Sequence, residues 1–167
     1  MSCRSLLVVC VTALAVSAVP SADAAEGGTR CTFSYNPQLD PGLTLSPGAG
    51  KVTSADGVAN CSGTLNGANV TGPGEFDFQG DYHDATCQGG GSGTGFINAR
   101  IPTYTGEVVI HDPISFAFGT NNGFPPGVGD WHGKRTVGHY LVQPTKGDCV
   151  SSPVTEAKGQ GPFEISD

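Results

Sequence analysis

The chain predicts an all-β fold: a single antiparallel β-sandwich or small β-barrel of about 8–10 short strands, held by two disulfides. Three observations carry this reading. Apolar residues recur with a period of two, and no helical period survives beyond a turn or two because Gly or Pro interrupts nearly every window. The alternating runs are short and bounded by turn-forming clusters such as "LNGAN", "QGGGSG", "TNNGFPPG" and "TKGD". The cysteines of the body of the chain are far apart, with no C-x-x-C pair of the kind zinc sites use.

Taken in order, residues 1–24 read as a signal peptide. Arg4 precedes the apolar run Leu6–Val19, Pro20 breaks it, and Ala22-Asp23-Ala24 is an A-x-A cleavage pattern. Residues 25–167 then form a single secreted β-domain. The apolar run is short for a membrane span and no second one follows, so the expected product is soluble and extracellular, with no membrane contact after signal removal. Cys3 and Cys10 leave with the signal, and Cys31, Cys61, Cys87 and Cys149 remain as two disulfides. Three pairings are open, of which the nested set Cys61–Cys87 and Cys31–Cys149 is preferred.

The strand faces follow from alternation. Phe33 and Tyr35 share one face of the first run. In "EFDFQGDYH", Phe76, Phe78 and Tyr82 oppose Glu75, Asp77, Gln79, Asp81 and His83. Ile97, Ala99 and Ile101 form another apolar face, as do Val108, Ile110, Ile114, Phe116 and Phe118. Pro113 inside that last run implies an edge, a bulge or a break. Thr120 to Gly133 reads as a loop feeding the strand "TVGHYLV", with Val137 and Leu141 on its apolar face, and Phe163 with Ile165 closes the series.

The segments "CTF", "CSGTLNG", "GTGFINARIP" and "PTKGDCVSSPVTEA" (Pro144 to Ala157) resemble a group of small, glycine-rich exported proteins of high-GC Gram-positive bacteria. The resemblance implies a single exported β-domain and brings no functional residues with it.

Charge is sparse and acidic, with 8 Lys and Arg against 15 Asp and Glu and a formal net charge of −7. That balance argues against nucleic acid and anionic membranes as partners. Known catalytic patterns fail on single residues. "GGSGT" ends on Thr94 where a nucleophile elbow needs glycine, and "GVGDWHGKR" has Val128 where a phosphate loop needs glycine. With the cysteines paired, no thiol is left for nucleophilic work. No cofactor and no metal are expected. The one metal arrangement worth stating is Asp81 and His83 meeting Asp130 and His132, if their two strands pair, against the simpler reading of solvated polar faces.

The remaining signal is aromatic. Trp131 sits among Gly and Pro, with Phe124, His132, Lys134 and Arg135 near it in sequence. It either folds back to cap one end of the barrel, the preferred reading, or forms a binding face for a carbohydrate or protein. The expected function is therefore a non-enzymatic extracellular binding or structural module. A small secreted hydrolase with an unrecognised site and a secreted enzyme inhibitor are the alternatives.

Overall fold

The computed structural model describes residues 28–121 and 124–167, so the signal peptide expected at 1–24 lies outside the described residues. The strands are β1 (Gly28–Tyr35), β2 (Gln38–Leu43), β3 (Gly48–Ser62), β4 (Thr64–Leu65), β5 (Ala68–Asn69), β6 (Gly74–Thr86), β7 (Gly90–Thr103), β8 (Gly106–Asn121), β9 (Phe124–Gly133), β10 (Thr136–Lys146) and β11 (Val154–Ser166). Of the two expected architectures, the chain adopts the barrel. Its eight staves run β1-β11-β10-β9-β8-β7-β6-β3, all antiparallel, and pairing of β1 with β3 closes the ring. At one end β2 bridges β3 and β11. At the other, the β4–β5 hairpin folds over the interior with Leu65 fully buried, and Thr29 Oγ1 donates to the Thr64 carbonyl at 2.5 Å. Along β6 the buried positions are apolar and the outward ones Glu75, Asp77, Gln79 and Asp81, the reverse of a barrel that faces lipid.

An eight-stranded barrel has an interior just wide enough for side chains to fill it or for one small ligand to be held. Here the filling is aromatic. Phe33 lies centrally, its ring centre 4.9 Å from Trp131, 5.1 Å from Phe76 and 5.8 Å from Phe163. Rings this large fit because the neighbouring strand presents glycine. Trp131 pairs across the ladder with Gly138, where an added Cβ would lie 2.3 Å from the indole. Tyr35 pairs with Gly159, where a Cβ would lie 2.0 Å from the phenol ring. Tyr140 covers Gly129 and Phe116 covers Gly93 in the same manner.

This arrangement corrects several expectations. Thr120 to Gly133 is not a loop: β8 runs to Asn121 and β9 begins at Phe124, leaving only 122–123 between them, outside the described residues. The buried face of β10 is Thr136, Gly138 and Tyr140, while Val137 and Leu141 point outward and are exposed. Glycine at inward positions hides the true phase from a hydropathy pattern. Pro113 lies in an interior stave, just beyond the end of the β8–β9 ladder, and not at an edge, a bulge or a break. β8 is continuous through it against β7, but β9 pairs only from Ile114 onward, so no ladder bond is lost on that side.

The nested disulfide set is also wrong. The bonds are Cys31–Cys61 and Cys87–Cys149. Antiparallel pairing of β1 with β3 sets Cys31 directly opposite Cys61, so the first bond staples the pair of staves that closes the ring. The second joins the turn between β6 and β7 to the loop between β10 and β11. Those connections have four staves between them in either direction around the ring, so this bond crosses the barrel's end. Each loop closed is worth about 4 kcal/mol in the chain-entropy account.

The hairpin-covered end depends on one carboxylate. Asp112 occupies an inward position of β8 and is 2% exposed. Its oxygens accept the backbone N–H groups of Lys134, Arg135 and Thr136 at 2.8 to 3.0 Å and the Thr136 hydroxyl at 2.8 Å, which pins the β9–β10 turn onto β8. Burial pushes the Asp112 carboxyl up, but the hydrogen bonds from Arg135, Thr136 and Lys134 together outweigh it and hold it below its ordinary value. A depressed folded value contributes stability above the unfolded value of roughly 3.9, lost as pH falls through the folded one. Asp112→Ala should therefore destabilise by about 3 kcal/mol or more in chemical denaturation at neutral pH, since it strands three amides and a hydroxyl. The gap between wild type and variant should narrow as pH drops from about 5 toward 2. An unchanged gap over that range would show that the carboxylate's charge is irrelevant to the turn.

Gly138→Ala tests the ring packing. It should cost about 1–3 kcal/mol, because the clashing indole is held on all sides, and Trp131→Phe should recover part of the loss. Equal stability of Gly138→Ala and wild type would remove close contact as the reason for glycine.

Candidate functional site

The residues singled out around Trp131 do not form a face. Trp131 is 3% exposed and points into the barrel, while its neighbour His132 points to solvent. Lys134 is exposed, and its backbone N–H serves Asp112. Arg135 is half-buried and structural: its Nε donates to the Ser166 carbonyl at 3.1 Å and an Nη to Asn66 Oδ1 at 3.4 Å. Phe124 begins β9, but its side chain lies outside the described residues. Alternation along the strand parts Trp131 from His132, because successive side chains leave on opposite sides.

The metal arrangement fails for a related reason. Asp81 and His83 lie on β6, Asp130 and His132 on β9, and β7 and β8 run between them. Three inter-strand spacings amount to about 14 Å. Asp81 and His132 border one shallow outer depression, but His83 contacts Asp84 and Asp130 contacts His139. Among the described residues no three His, Cys, Asp or Glu side chains gather as a metal site. Among the described residues the hydrogen bonds of the histidine rings are on the outer wall, to Asp84, Asn98 and Asp130, and none is to a serine or threonine hydroxyl.

The feature that the sequence did not indicate is inside the barrel. Beneath the end crossed by Cys87–Cys149 lies a cavity of about 100 Å³. Its floor and lower wall are Phe76, Trp131, Tyr140 and Tyr35, the middle wall includes Ile97, Ile114, Phe116 and Val52, and the mouth carries Leu39 and Leu43 of β2 with Val154. No charged side chain is among these lining residues. The disulfide sits in the mouth. Its loop is shaped by Asp148, which accepts the N–H groups of Val150, Ser151 and Ser152 and the Ser151 hydroxyl. Those bonds lower the exposed Asp148 carboxyl to about 2, with the Ser151 side chain the largest influence.

Three tyrosines, with Thr86 and the indole of Trp131, supply the polar side-chain atoms of the lining. Tyr82 donates to the Pro41 carbonyl, and Tyr140 donates to the Ala117 carbonyl at 3.1 Å. Burial raises the Tyr140 phenol well above its ordinary value, with Tyr35 and Asp130 adding to the effect. Burial raises Tyr35 in the same direction. The site is therefore a narrow, neutral, aromatic-walled chamber at one end of a disulfide-stapled barrel. No family of known proteins, no curated protein and no solved structure matches the chain.

Trp131 doubles as a reporter of this chamber. Its emission should be blue-shifted in the native state, and Trp131→Ala should destabilise by about 3–5 kcal/mol by opening a void in the ring cluster. Red-shifted native emission would mean that the ring is not inside.

Proposed function

We propose that the protein is an exported, non-enzymatic binding module that takes a small, largely apolar molecule into the end of its barrel. The observation that carries this is the chamber itself, an apolar cavity left in a core otherwise filled by rings. Protein interiors pack to few voids larger than water, and an apolar void of this order can hold a molecule the size of benzene. Barrel mouths are also a preferred place for such sites. Two disulfides favour an oxidising compartment, in keeping with the signal-like first residues and with the exported proteins the chain resembles.

Toluene tests the proposal. It should raise the thermal midpoint of the wild type in a concentration-dependent manner, by mass action on the native state. Ala157 lines the chamber and is buried. Ala157→Leu should occupy the space and abolish the rise while leaving the fold intact. No rise in the wild type, or an equal rise in the filled variant, would overturn the chamber as a ligand site.

A further inference from the structure

Resting on the chamber as a ligand site, the geometry points to a more specific ligand: a neutral, benzene-sized, apolar molecule carrying one acceptor oxygen, held by a hydrogen bond from the Tyr35 hydroxyl. Neutrality follows from the lining. With no Lys, Arg, His, Asp or Glu among the described residues that line the chamber, a charged group drawn inside would lose its hydration without a partner.

The donor is found by elimination among the lining groups. The hydroxyls of Tyr82 and Tyr140 are committed to the carbonyls of Pro41 and Ala117. Thr86 Oγ1 accepts the Gly89 N–H at 2.6 Å, which leaves its own O–H free to donate, but it stands at the mouth next to Cys87, away from the aromatic floor. The indole nitrogen of Trp131 has no partner, but packing seals it in and nothing in the chamber can reach it. Tyr35 remains. Its hydroxyl makes no hydrogen bond to another described residue, and it is not among the sealed atoms, although the residue is only 7% exposed. A buried hydroxyl in that condition is incomplete until something in the chamber accepts from it.

Tyr35 is also held still. Its ring lies over Gly159 and contacts Phe33, Phe76 and Phe78 with centres 5.4, 6.0 and 6.3 Å apart. The hydroxyl is thereby offered at one place, so little freedom is lost when a ligand accepts its hydrogen bond. Burial keeps the phenol protonated, so it is a donor throughout the physiological range. A carbonyl or ether oxygen on a compact hydrocarbon body satisfies both the donor and the walls.

Two matched probes, cyclohexanone and methylcyclohexane, separate this inference from the reading beneath it. Both should bind the wild-type protein in titrations followed by Trp131 emission. Tyr35→Phe should weaken cyclohexanone about tenfold and leave methylcyclohexane unchanged or slightly tighter. If both probes bind but the substitution affects neither, or both equally, the hydrogen bond is overturned and the apolar site stands. If neither binds the wild type, the site itself is overturned. A reading independent of any variant is the carbonyl stretch of bound cyclohexanone, which should move to lower frequency than in hydrocarbon solvent; an unshifted band would overturn the donor. Cyclohexanecarboxylate at neutral pH should not compete with cyclohexanone, and effective competition would overturn the neutral-ligand assignment.

Discussion

The fold depends on large rings lying over bare backbone. A ring of eight strands encloses little width, and the chain fills it with Phe33, Tyr35, Phe76, Phe116, Trp131, Tyr140 and Phe163. That is possible only because ladder partners such as Gly93, Gly129, Gly138 and Gly159 give up their side chains to make room. Glycine in a strand ordinarily weakens it, through lost packing and greater entropy. Here the ring opposite supplies the missing packing. The count of 26 glycines, which taken alone approaches the composition of a disordered chain, is in part a consequence of how this interior is built.

The two ends of the barrel are finished in different ways. One is sealed by a short hairpin and by a carboxylate that gathers the backbone of a turn, so its polar groups are satisfied within the protein. At the other end the rings stop short, and a disulfide-tied loop spans the opening instead of a plug. Stability is concentrated toward the first end and vacancy toward the second. That division leaves the cavity above the ring cluster instead of within it.

Much of the architecture was legible because β6, β7 and β8 alternate in the ordinary way, with Phe76, Ile97, Ala99, Ile110 and Ile114 inward. Legibility failed where glycine stood at the inward positions. In β9 the inward residues are Gly127, Gly129, Trp131 and Gly133, so the ring looked stranded in a loop. In β10 the outward Val137 and Leu141 outweighed the inward Gly138 and Tyr140 and inverted the face. Glycines recurring two apart, as at Gly127 and Gly129 or Gly159 and Gly161, were the signal that could have restored the phase. Asp112 was missed because an acidic residue at an inward position resembles a break in the pattern. Two disulfides among the four cysteines were legible, but their pairing and the chamber were not, since both depend on which strands meet around the ring, and no local spacing encodes that.

The meeting of β1 with β11 has a consequence for how the molecule is made. These staves pair along their whole length, Gly28 against Ser166 through Tyr35 against Gly159, yet they stand at opposite ends of the described chain. Most other joints link strands that follow one another closely in sequence. As the polypeptide emerges, β1 is available long before its partner. In the interval β3 can cover one flank of β1, and Cys31–Cys61 can hold it there. The opposite flank stays unpaired until β11 has emerged. An early strand with one guarded edge and one open edge invites association with other chains, so the same bond that stabilises the finished barrel also limits the hazards of its assembly.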